Sequence, residues 1–375
     1  MTETPDIDTY ALKAPPAPEI AAPDLDYRPP LPRTWRPRIA LVGAGGISAA
    51  HLAAYAGAGL DVAVICNRTL AKAVERRDRY FPEAEASDDI RGTLTRRDIQ
   101  VVDLTPHPAE RFAMIEAAIA AGKHVLSQKP FVLDLDAGLG LVDLADRRGV
   151  VLAVNQNGRW APHFAWMREA VRAGLLGPVQ SCHQTVHWDH SWIGGTAFEE
   201  IDDLIFYDFA IHWFDFLTSL IGGRAGEVYA TTARAAGQTV RPAMLAQALV
   251  AFEAGQAAFL FDAATPHGAE DRTVVTGPRG TLASRGPDLS TQSVTLSTAD
   301  GVARPALEGT WFEAGFLGTM GALLRAVEDG TTPLNNARDN LDALALAFAA
   351  IASSRRGRPV PPGSVRSLEA ARRSG

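Results

Sequence analysis

The sequence contains little cysteine and no long hydrophobic run, and each shortage excludes a class of protein. Cys66 and Cys182 are the only cysteines in 375 residues, which is too few for a disulfide framework or for a zinc site built on paired cysteines. The longest apolar run, 343–352, has half of the roughly 20 residues that a membrane-spanning helix needs. We therefore expect a cytoplasmic protein with no membrane partner.

The chain also lacks an excess of positive charge. Its formal net charge is −7, whereas nucleic-acid-binding domains are usually rich in Lys and Arg, so we expect no nucleic-acid partner. Glu3, Asp6 and Asp8 precede no apolar core, so we expect no signal peptide. Lysine is especially rare, and any chemistry that needs an amine must use one of four residues: Lys13, Lys72, Lys123 and Lys129.

Proline is concentrated at the N-terminus. Residues 1–37 contain nine of the 24 prolines and almost no periodic pattern, which is typical of an extended arm without a core of its own. The arm is either flexible or lies along this or a neighbouring subunit, with Leu25, Tyr27 and Trp35 as anchors.

The pattern over 38–154 predicts a domain of the α/β class. Short apolar runs alternate with helical patterns, which favours βαβ units and a doubly wound parallel sheet with helices on both faces. The expected strands cover 39–42, 61–66, 101–104, 124–127 and 150–154. The expected helices cover 47–56, 69–80, 110–121 and 135–148.

This alternation ends near residue 155, and residues 155–375 predict a second, α+β domain. Successive strand-like runs separated by turn residues favour an antiparallel sheet. The expected strands cover 179–189, 227–233, 245–252, 256–262, 272–276 and 293–297. The expected helices cover 164–173, 204–221, 312–328 and 338–352.

A glycine-rich turn follows the first strand and opens a helix. Gly43, Gly45 and Gly46, with Ile47, lie in the sequence GAGGIS. The first glycine allows the tight turn, and the second lets backbone N–H groups approach a pyrophosphate at the positive end of the helix. Ser48 stands where a third glycine is usual, so a plain strand–helix turn remains the alternative to dinucleotide binding.

The second strand ends where the ribose partner of a dinucleotide is expected. Asn67 and Arg68 stand at this position. Asn67 does not repel a 2′-phosphate and Arg68 can pair with it, which slightly favours NADP over NAD. In the alternative, Arg68 stacks on the adenine and Asn67 serves NAD.

Two further positions combine reactive side chains with a strand end or a helix. Lys129 follows the strand 124–127, at the end that faces the ligand crevice in an open α/β sheet. Asp208 and His212, spaced i and i+4, share one face of the predicted helix 204–221. A carboxylate and an imidazole among apolar neighbours indicate either a buried Asp–His pair whose hydrogen bonds are satisfied in the core or a catalytic role.

These residues together resemble the glucose–fructose oxidoreductase/inositol dehydrogenase (GFO/IDH/MocA) family, over about 38–355. The resemblance is carried by the glycine turn, by Gln128-Lys129-Pro130 and by Asp208-x-x-x-His212-x-x-Asp215. It is also carried by the following residues: His51, Thr105, Pro106, the segment 121–125, Asn157, Arg159 and Trp160.

The resemblance implies a Rossmann domain, a second domain with a large, open, mostly antiparallel sheet, and a homodimer or homotetramer. It implies NAD(P)-dependent hydride transfer between the nicotinamide and a secondary alcohol or carbonyl of a sugar, cyclitol or derivative. The family's catalytic roles transfer to Lys129, Asp208 and His212. Gln128 replaces the family's usual Glu, and Asn67 stands where an acidic residue is common.

Other residues are assigned by position beside these strand ends. Thr105, Pro106 and His107 should close the crevice, and Gln128 should lie at the cofactor. Asn157, Arg159 and Trp160 should contact the cofactor, with loop packing as the alternative. Four residues are candidates for substrate recognition: His187, Asp189, His190 and Trp192. Their strand alternation does not favour a metal site, because His183 and His187 face away from His190.

Two other functions remain open at this point. A tightly bound NAD(P) could serve transient oxidation during glycoside elimination, hydrolysis or internal sugar redox chemistry. A non-catalytic dinucleotide-binding regulatory protein is the other alternative, although it would not need Lys129, Asp208 and His212 together.

Overall fold

A computed structural model describes residues 17–373, arranged in two β-sheets with helices around them. The predicted arm is therefore described only over its second half, and its residues 1–16 lie outside the described residues. No helix within 17–373 combines the length and apolarity needed to cross a membrane.

The first sheet has six parallel strands in the order β3-β2-β1-β4-β5-β6. The strands are β1 Arg38–Val42, β2 Asp61–Cys66, β3 Glu85–Ser87, β4 Val101–Leu104, β5 His124–Gln128 and β6 Leu152–Asn155. The helices between them are α1 Ser48–Gly57, α2 Leu70–Tyr80, α3 Ile90–Thr95, α4 Pro108–Ala120 and α5 Leu135–Arg148. This is the Rossmann strand order, so the predicted α/β doubly wound sheet is confirmed.

The second sheet has eight strands in the order β14-β13-β12-β11-β7-β10-β9-β8. The strands are β7 Ser181–His187, β8 Ala225–Ala233, β9 Leu245–Phe252, β10 Gly255–Asp262, β11 Glu270–Gly277, β12 Gly280–Gly286, β13 Ser293–Thr298 and β14 Gly301–Ala303. All neighbouring pairs are antiparallel except β7 with β10. The predicted mostly antiparallel sheet is thus confirmed. The remaining helices are α6 Pro162–Arg172, α7 Ile211–Ile221, α8 Trp311–Asp329, α9 Ala337–Arg356 and α10 Leu368–Arg372.

The segment 204–221 is not a single α-helix, and that prediction is wrong in its first turns. A π-helical turn covers Ile205–Phe209 and ends on a hydrogen bond from Ala210 N to Ile205 O of 2.7 Å. The regular helix α7 begins only at Ile211. Such wide turns are often found at functional sites, and this one carries Asp208.

Helix α8 packs against the first sheet although it follows the second sheet in sequence. Phe316, Met320, Leu323 and Leu324 of α8 are buried with apolar side chains of β1, β2 and α1. This contact fixes the N-terminus of α8 beside the carboxyl ends of the parallel strands.

The N-terminal segment 17–37 lies along its own chain. Ile20 N donates to Val302 O at 2.9 Å, so the segment extends the edge of the second sheet beside β14. The Glu328 carboxylate of α8 then accepts hydrogen bonds from the backbone N–H groups of Arg33, Thr34 and Trp35, at 2.6–2.9 Å.

A buried carboxyl on β11 should make stability depend on pH. Asp271 is fully buried, and Oδ2 has no hydrogen-bond partner among the described residues. Burial raises the pKa of Asp271 to about 7. Between its ordinary pKa and about 7 the unfolded chain loses this proton while the folded chain keeps it, so stability falls as pH rises through that window.

We therefore predict that Asp271→Asn raises the thermal unfolding midpoint, and that the gain over wild type is larger at pH 8 than at pH 5. Thermal unfolding followed by circular dichroism measures both midpoints. A gain that is the same at the two pH values would contradict the buried, protonated carboxyl.

Candidate functional site

A cleft opens at the carboxyl ends of β1, β4 and β5. Most residues predicted to bind a cofactor line this cleft: Gly43, Gly45, Gly46, Ile47, Asn67, Arg68, Thr105, Pro106, His107, Gln128 and Lys129. Asp208 lines it from the π turn on the opposite side.

The glycine turn is built by close contact with the loop after β4. Gly43 has φ +102°, and a Cβ there would lie 2.4 Å from Thr105 Oγ1. The Thr105 hydroxyl donates to Gly43 O at 2.6 Å, which holds the two loops together. A Cβ at Gly45 or Gly46 would meet nothing within 4 Å, so the space over these two backbone positions is open to a ligand.

The end of the cleft at β2 carries positive charge. Asn67 Oδ1 accepts a hydrogen bond from Ala44 N at 2.9 Å, so this side chain supports the glycine turn. Arg68 is exposed and pairs with Glu110 at 3.2 Å. Lys72 on α2 also lines the cleft, although the sequence pattern assigned it no role.

Lys129 and Asp208 meet in the middle of the cleft. Lys129 Nζ lies 3.1 Å from Asp208 Oδ2 and donates to the Asp208 backbone carbonyl at 2.8 Å. Both side chains are largely buried, with 17% and 10% of their surface exposed. This ion pair joins the end of β5 to the π turn and leaves an ammonium and a carboxylate facing the same space.

His212 lies behind this pair, in contact with tryptophan rings. Its ring centroid is 5.6 Å from that of Trp311 and 6.3 Å from that of Trp213. Burial, reinforced by the positive charge of Lys129, holds the pKa of His212 well below 6.5. His212 Nδ1 is buried and has no hydrogen-bond partner among the described residues. The ring is therefore neutral near pH 7 and can accept a proton.

A buried polar network connects α1 to Gln128. Gln128 Nε2 and Asn155 Nδ2 each lie 3.0 Å from His51 Nε2. Both amides donate to this nitrogen, so the proton of the ring is on Nδ1, which donates to Asp103 Oδ2 at 2.7 Å. Tyr55 donates to the same oxygen at 2.7 Å.

This network explains the amide at position 128. A glutamate there would place a second carboxylate against the unprotonated nitrogen of His51. Gln128 instead donates to His51 and accepts a hydrogen bond from Lys129 N at 2.7 Å. The side chain therefore fixes the backbone of the catalytic lysine candidate.

Arg111 and Tyr207 are, like Lys72, cleft residues that the sequence analysis missed. Arg111 on α4 is buried and donates to the backbone carbonyls of Pro106 and Pro130, which joins the loops after β4 and β5; burial lowers its pKa to about 10. Tyr207 lines the cleft with a buried hydroxyl that has no partner among the described residues. Neither residue belongs to a recognisable motif, so the local sequence around each gives no sign of a role in the cleft.

Three predicted cofactor residues do not line the cleft: Asn157, Arg159 and Trp160. Arg159 forms a buried bidentate ion pair with Asp215, at 2.6 and 2.9 Å. Trp160 is buried against Gly318 of α8, where a Cβ would lie 2.1 Å from its ring. These contacts favour the loop-packing alternative for Arg159 and Trp160. They also give Asp215, the last residue of the Asp208-x-x-x-His212-x-x-Asp215 motif, a structural role as the partner of Arg159.

The candidate substrate residues are divided between two places. Asp189, His190 and Trp192 line a groove beside the cleft. His187 alternates along β7 with the buried residues Cys182, Gln184 and Val186, so it belongs to the opposite, open face of the sheet. Residues 17–373 contain no group of three or more His, Cys, Asp or Glu side chains that could hold a metal ion.

Comparison with known proteins gives two family matches. Residues 37–156 match the "Oxidoreductase family, NAD-binding Rossmann fold", and residues 164–283 match the "GFO/IDH/MocA C-terminal domain". The chain is 26% identical over 324 residues to an inositol 2-dehydrogenase of Rhizobium meliloti (strain 1021), covering 84% of this chain and 96% of the relative. It is 25% identical over 357 residues to a D-apiose dehydrogenase of Paraburkholderia graminis, covering 88% and 90%.

A solved structure has the same fold at lower identity. An oxidoreductase from Agrobacterium radiobacter, in complex with NAD+, L-tartaric acid and magnesium, superposes with a TM-score of 0.79 at 20% identity. The match covers 88% of this chain and 99% of that protein. The two-sheet architecture is therefore shared along nearly the whole described chain.

The residues of this cleft fit a nicotinamide dinucleotide. The open space over Gly45 and Gly46 lies at the N-terminus of α1, where backbone N–H groups suit a pyrophosphate. Arg68 lies at one end of the cleft, and Lys129 with Asp208 lines the space farther along. The same cleft thus combines open backbone positions at a helix N-terminus with a largely buried ammonium–carboxylate pair.

We predict that Gln128→Glu lowers the thermal unfolding midpoint. The new carboxylate would replace the amide that donates to His51 Nε2, in a buried network that already holds the Asp103 carboxylate. A buried group left without its partner usually costs about 1–3 kcal/mol, and thermal unfolding followed by circular dichroism measures the loss. An unchanged midpoint would contradict the hydrogen-bond assignment in this network.

Proposed function

The chain belongs to the GFO/IDH/MocA family of NAD-binding oxidoreductases, and we propose that it oxidises a secondary alcohol of a sugar or cyclitol, or reduces the corresponding carbonyl. The observation that carries this proposal is the meeting of Lys129 and Asp208 in a cleft that also holds the glycine turn. The inositol and apiose dehydrogenases among its relatives support the substrate class.

The bound nicotinamide would supply the hydride acceptor or donor. A residue of this chain must accept the proton of the reacting hydroxyl. We assign this role to His212, whose neutral ring can act as a base. Because the protonated ring would lie near the Lys129 charge, His212 would readily pass the proton on.

Lys129 and Asp208 divide the remaining roles. The Lys129 ammonium would stabilise negative charge that develops on the substrate oxygen. The Asp208 carboxylate holds Nζ of Lys129 and would accept a hydrogen bond from a neighbouring hydroxyl of the sugar. Tyr207, with its unpaired hydroxyl, would add a further polar contact to the substrate.

The charges near β2 support a preference for NADP over NAD. Asn67 places no carboxylate at the ribose position, and Arg68 and Lys72 both line that end of the cleft. A 2′-phosphate would find two cations there, although Arg68 must leave Glu110 to reach it.

The open face of the second sheet supports a homodimer or homotetramer. Tyr229, Leu249 and Leu260 are 41%, 59% and 45% exposed on β8, β9 and β10. Adjacent exposed apolar side chains favour burial against another copy of the chain. We also propose a cytoplasmic location, which the two free, buried thiols of Cys66 and Cys182 support.

We predict that His212→Ala and Lys129→Ala each lower kcat by about 10²–10⁴-fold, the usual contribution of a positioned acid or base. Steady-state rates should be measured from nicotinamide absorbance with a panel of aldoses, ketoses and inositols. His267→Ala, which changes an exposed loop histidine, is the matched control. Normal turnover in both His212→Ala and Lys129→Ala would contradict the proposed reaction centre.

The pH profile of the wild type gives the second readout for His212. Because its pKa lies well below 6.5, the base form persists in mild acid, so alcohol oxidation should decline only below pH 6.5. That acid limb should be missing from the residual activity of His212→Ala.

We predict that Arg68→Ala weakens NADP binding about 10-fold, since it removes a charge-assisted hydrogen bond, and changes NAD binding much less. Isothermal titration with each dinucleotide measures both dissociation constants. Arg79→Ala, which removes an arginine of α2 outside the cleft, is the control. Tighter binding of NAD than of NADP by the wild type would contradict the proposed preference.

A further inference from the structure

We propose that a groove beside the reaction centre binds a second sugar ring, so that the substrate is a neutral glycoside rather than a free monosaccharide or a nucleotide sugar. This inference rests on the proposed function. The groove, here called the aromatic groove, is lined by Trp188, Asp189, His190, Trp192, Asp288 and Phe312.

Two exposed aromatic rings give the groove an apolar surface. Trp192 is 55% exposed and Phe312 is 53% exposed, and they come from segments far apart in the chain. Each is held by a second ring: Trp192 lies 5.6 Å from Phe198, and Phe312 lies 5.8 Å from Phe316. The electron-rich faces of such rings attract the polarised C–H groups of a sugar ring.

Two fixed carboxylates supply the polar side of the groove. Asp288 Oδ1 accepts hydrogen bonds from Ser290 N and Thr291 N, both at 2.7 Å. Asp189 Oδ1 accepts from Ser191 N at 2.8 Å, and this contact lowers the pKa of Asp189. Both groups are therefore held as acceptors for sugar hydroxyls before any ligand arrives.

His190 also lines the groove, and its ring nitrogen Nδ1 makes no hydrogen bond among the described residues. The side chain is 8% exposed. A buried polar atom of this kind is costly unless a ligand or water satisfies it. His190 thus adds an unpaired polar atom beside the groove to its two rings.

The negative charge of the groove favours a neutral glycosyl group over a nucleotide phosphate as the group attached to the reacting sugar. Its lining includes the two carboxylates and neither Lys nor Arg. Burial lowers the pKa of His190 to about 4, so the imidazole is neutral at pH 7. Two negative charges repel the phosphates of a nucleotide sugar, whereas a neutral glycosyl group meets no charge that repels it.

The aromatic groove adjoins the reaction centre. Trp192 packs on Phe198, which lines the cleft. The His190 ring lies 4.3 Å from that of Phe209, the residue after Asp208. A glycosyl group attached to a ring beside Lys129 would therefore have the aromatic groove as its neighbouring surface.

The test compares kcat/KM for paired substrates in wild type and variants. The panel is D-glucose and myo-inositol against cellobiose and maltose, with UDP-glucose as the nucleotide sugar. We expect a disaccharide to be preferred by the wild type. Phe312→Ala and Trp192→Ala should each lower the ratio of disaccharide to monosaccharide kcat/KM about 3- to 10-fold. Phe112→Ala, an exposed phenylalanine on α4, should leave the ratio unchanged.

The outcomes separate this inference from the proposed function. Two results would overturn the glycoside-binding role of the groove while the dehydrogenase assignment stands. One is turnover of monosaccharides with a disaccharide-to-monosaccharide kcat/KM ratio that Phe312→Ala does not change. The other is a preference for UDP-glucose. If no sugar in the panel is oxidised, the proposed function fails, and saturation-transfer NMR with cellobiose and maltose tests the groove alone. Binding that is lost in Phe312→Ala supports it, and no binding to the wild type overturns it.

Discussion

The ion pair between Lys129 and Asp208 determines the geometry of the whole site. Lys129 comes from the end of β5 in the parallel sheet, and Asp208 comes from the π turn that leads into α7. Because each residue belongs to a different half of the chain, their contact requires the two sheets to lie in one relative position. The glycine turn, the cationic end of the cleft and the aromatic groove are all arranged around that contact.

Local patterns were sufficient to predict the parts of the fold that depend on local physics. Strands β2, β4 and β9 and helix α5 have the bounds that the sequence predicted, because continuous or alternating apolar runs end at clear turn residues. Strands β3, β12 and β14 were not predicted, and neither was the short helix α3. The three residues of β3 and of β14 are too few to show a period, and β12 begins and ends with glycine.

The site was predictable where one residue's role follows from its position at a strand end, and not where it depends on a distant partner. Lys129 and the glycine turn are of the first kind. Arg159 is of the second kind. It was predicted to contact the cofactor, but it pairs instead with Asp215 of α7, which lies far away in sequence. The same holds for His51, which meets Asp103, Gln128 and Asn155 from three different strands. No local spacing encodes such a meeting.

Helix α8 touches three separate parts of the molecule along its length. Trp311 lies beside His212, Thr319 donates to Asn155 in the buried network at 3.0 Å, and Glu328 holds the N-terminal segment. In an α-helix each residue advances by about 1.5 Å and rotates by about 100°. Inserting or deleting one residue within α8 would therefore rotate every later contact away from its partner at once. Natural variation in length should consequently be confined to the loops before and after this helix, while its own residue count stays constant.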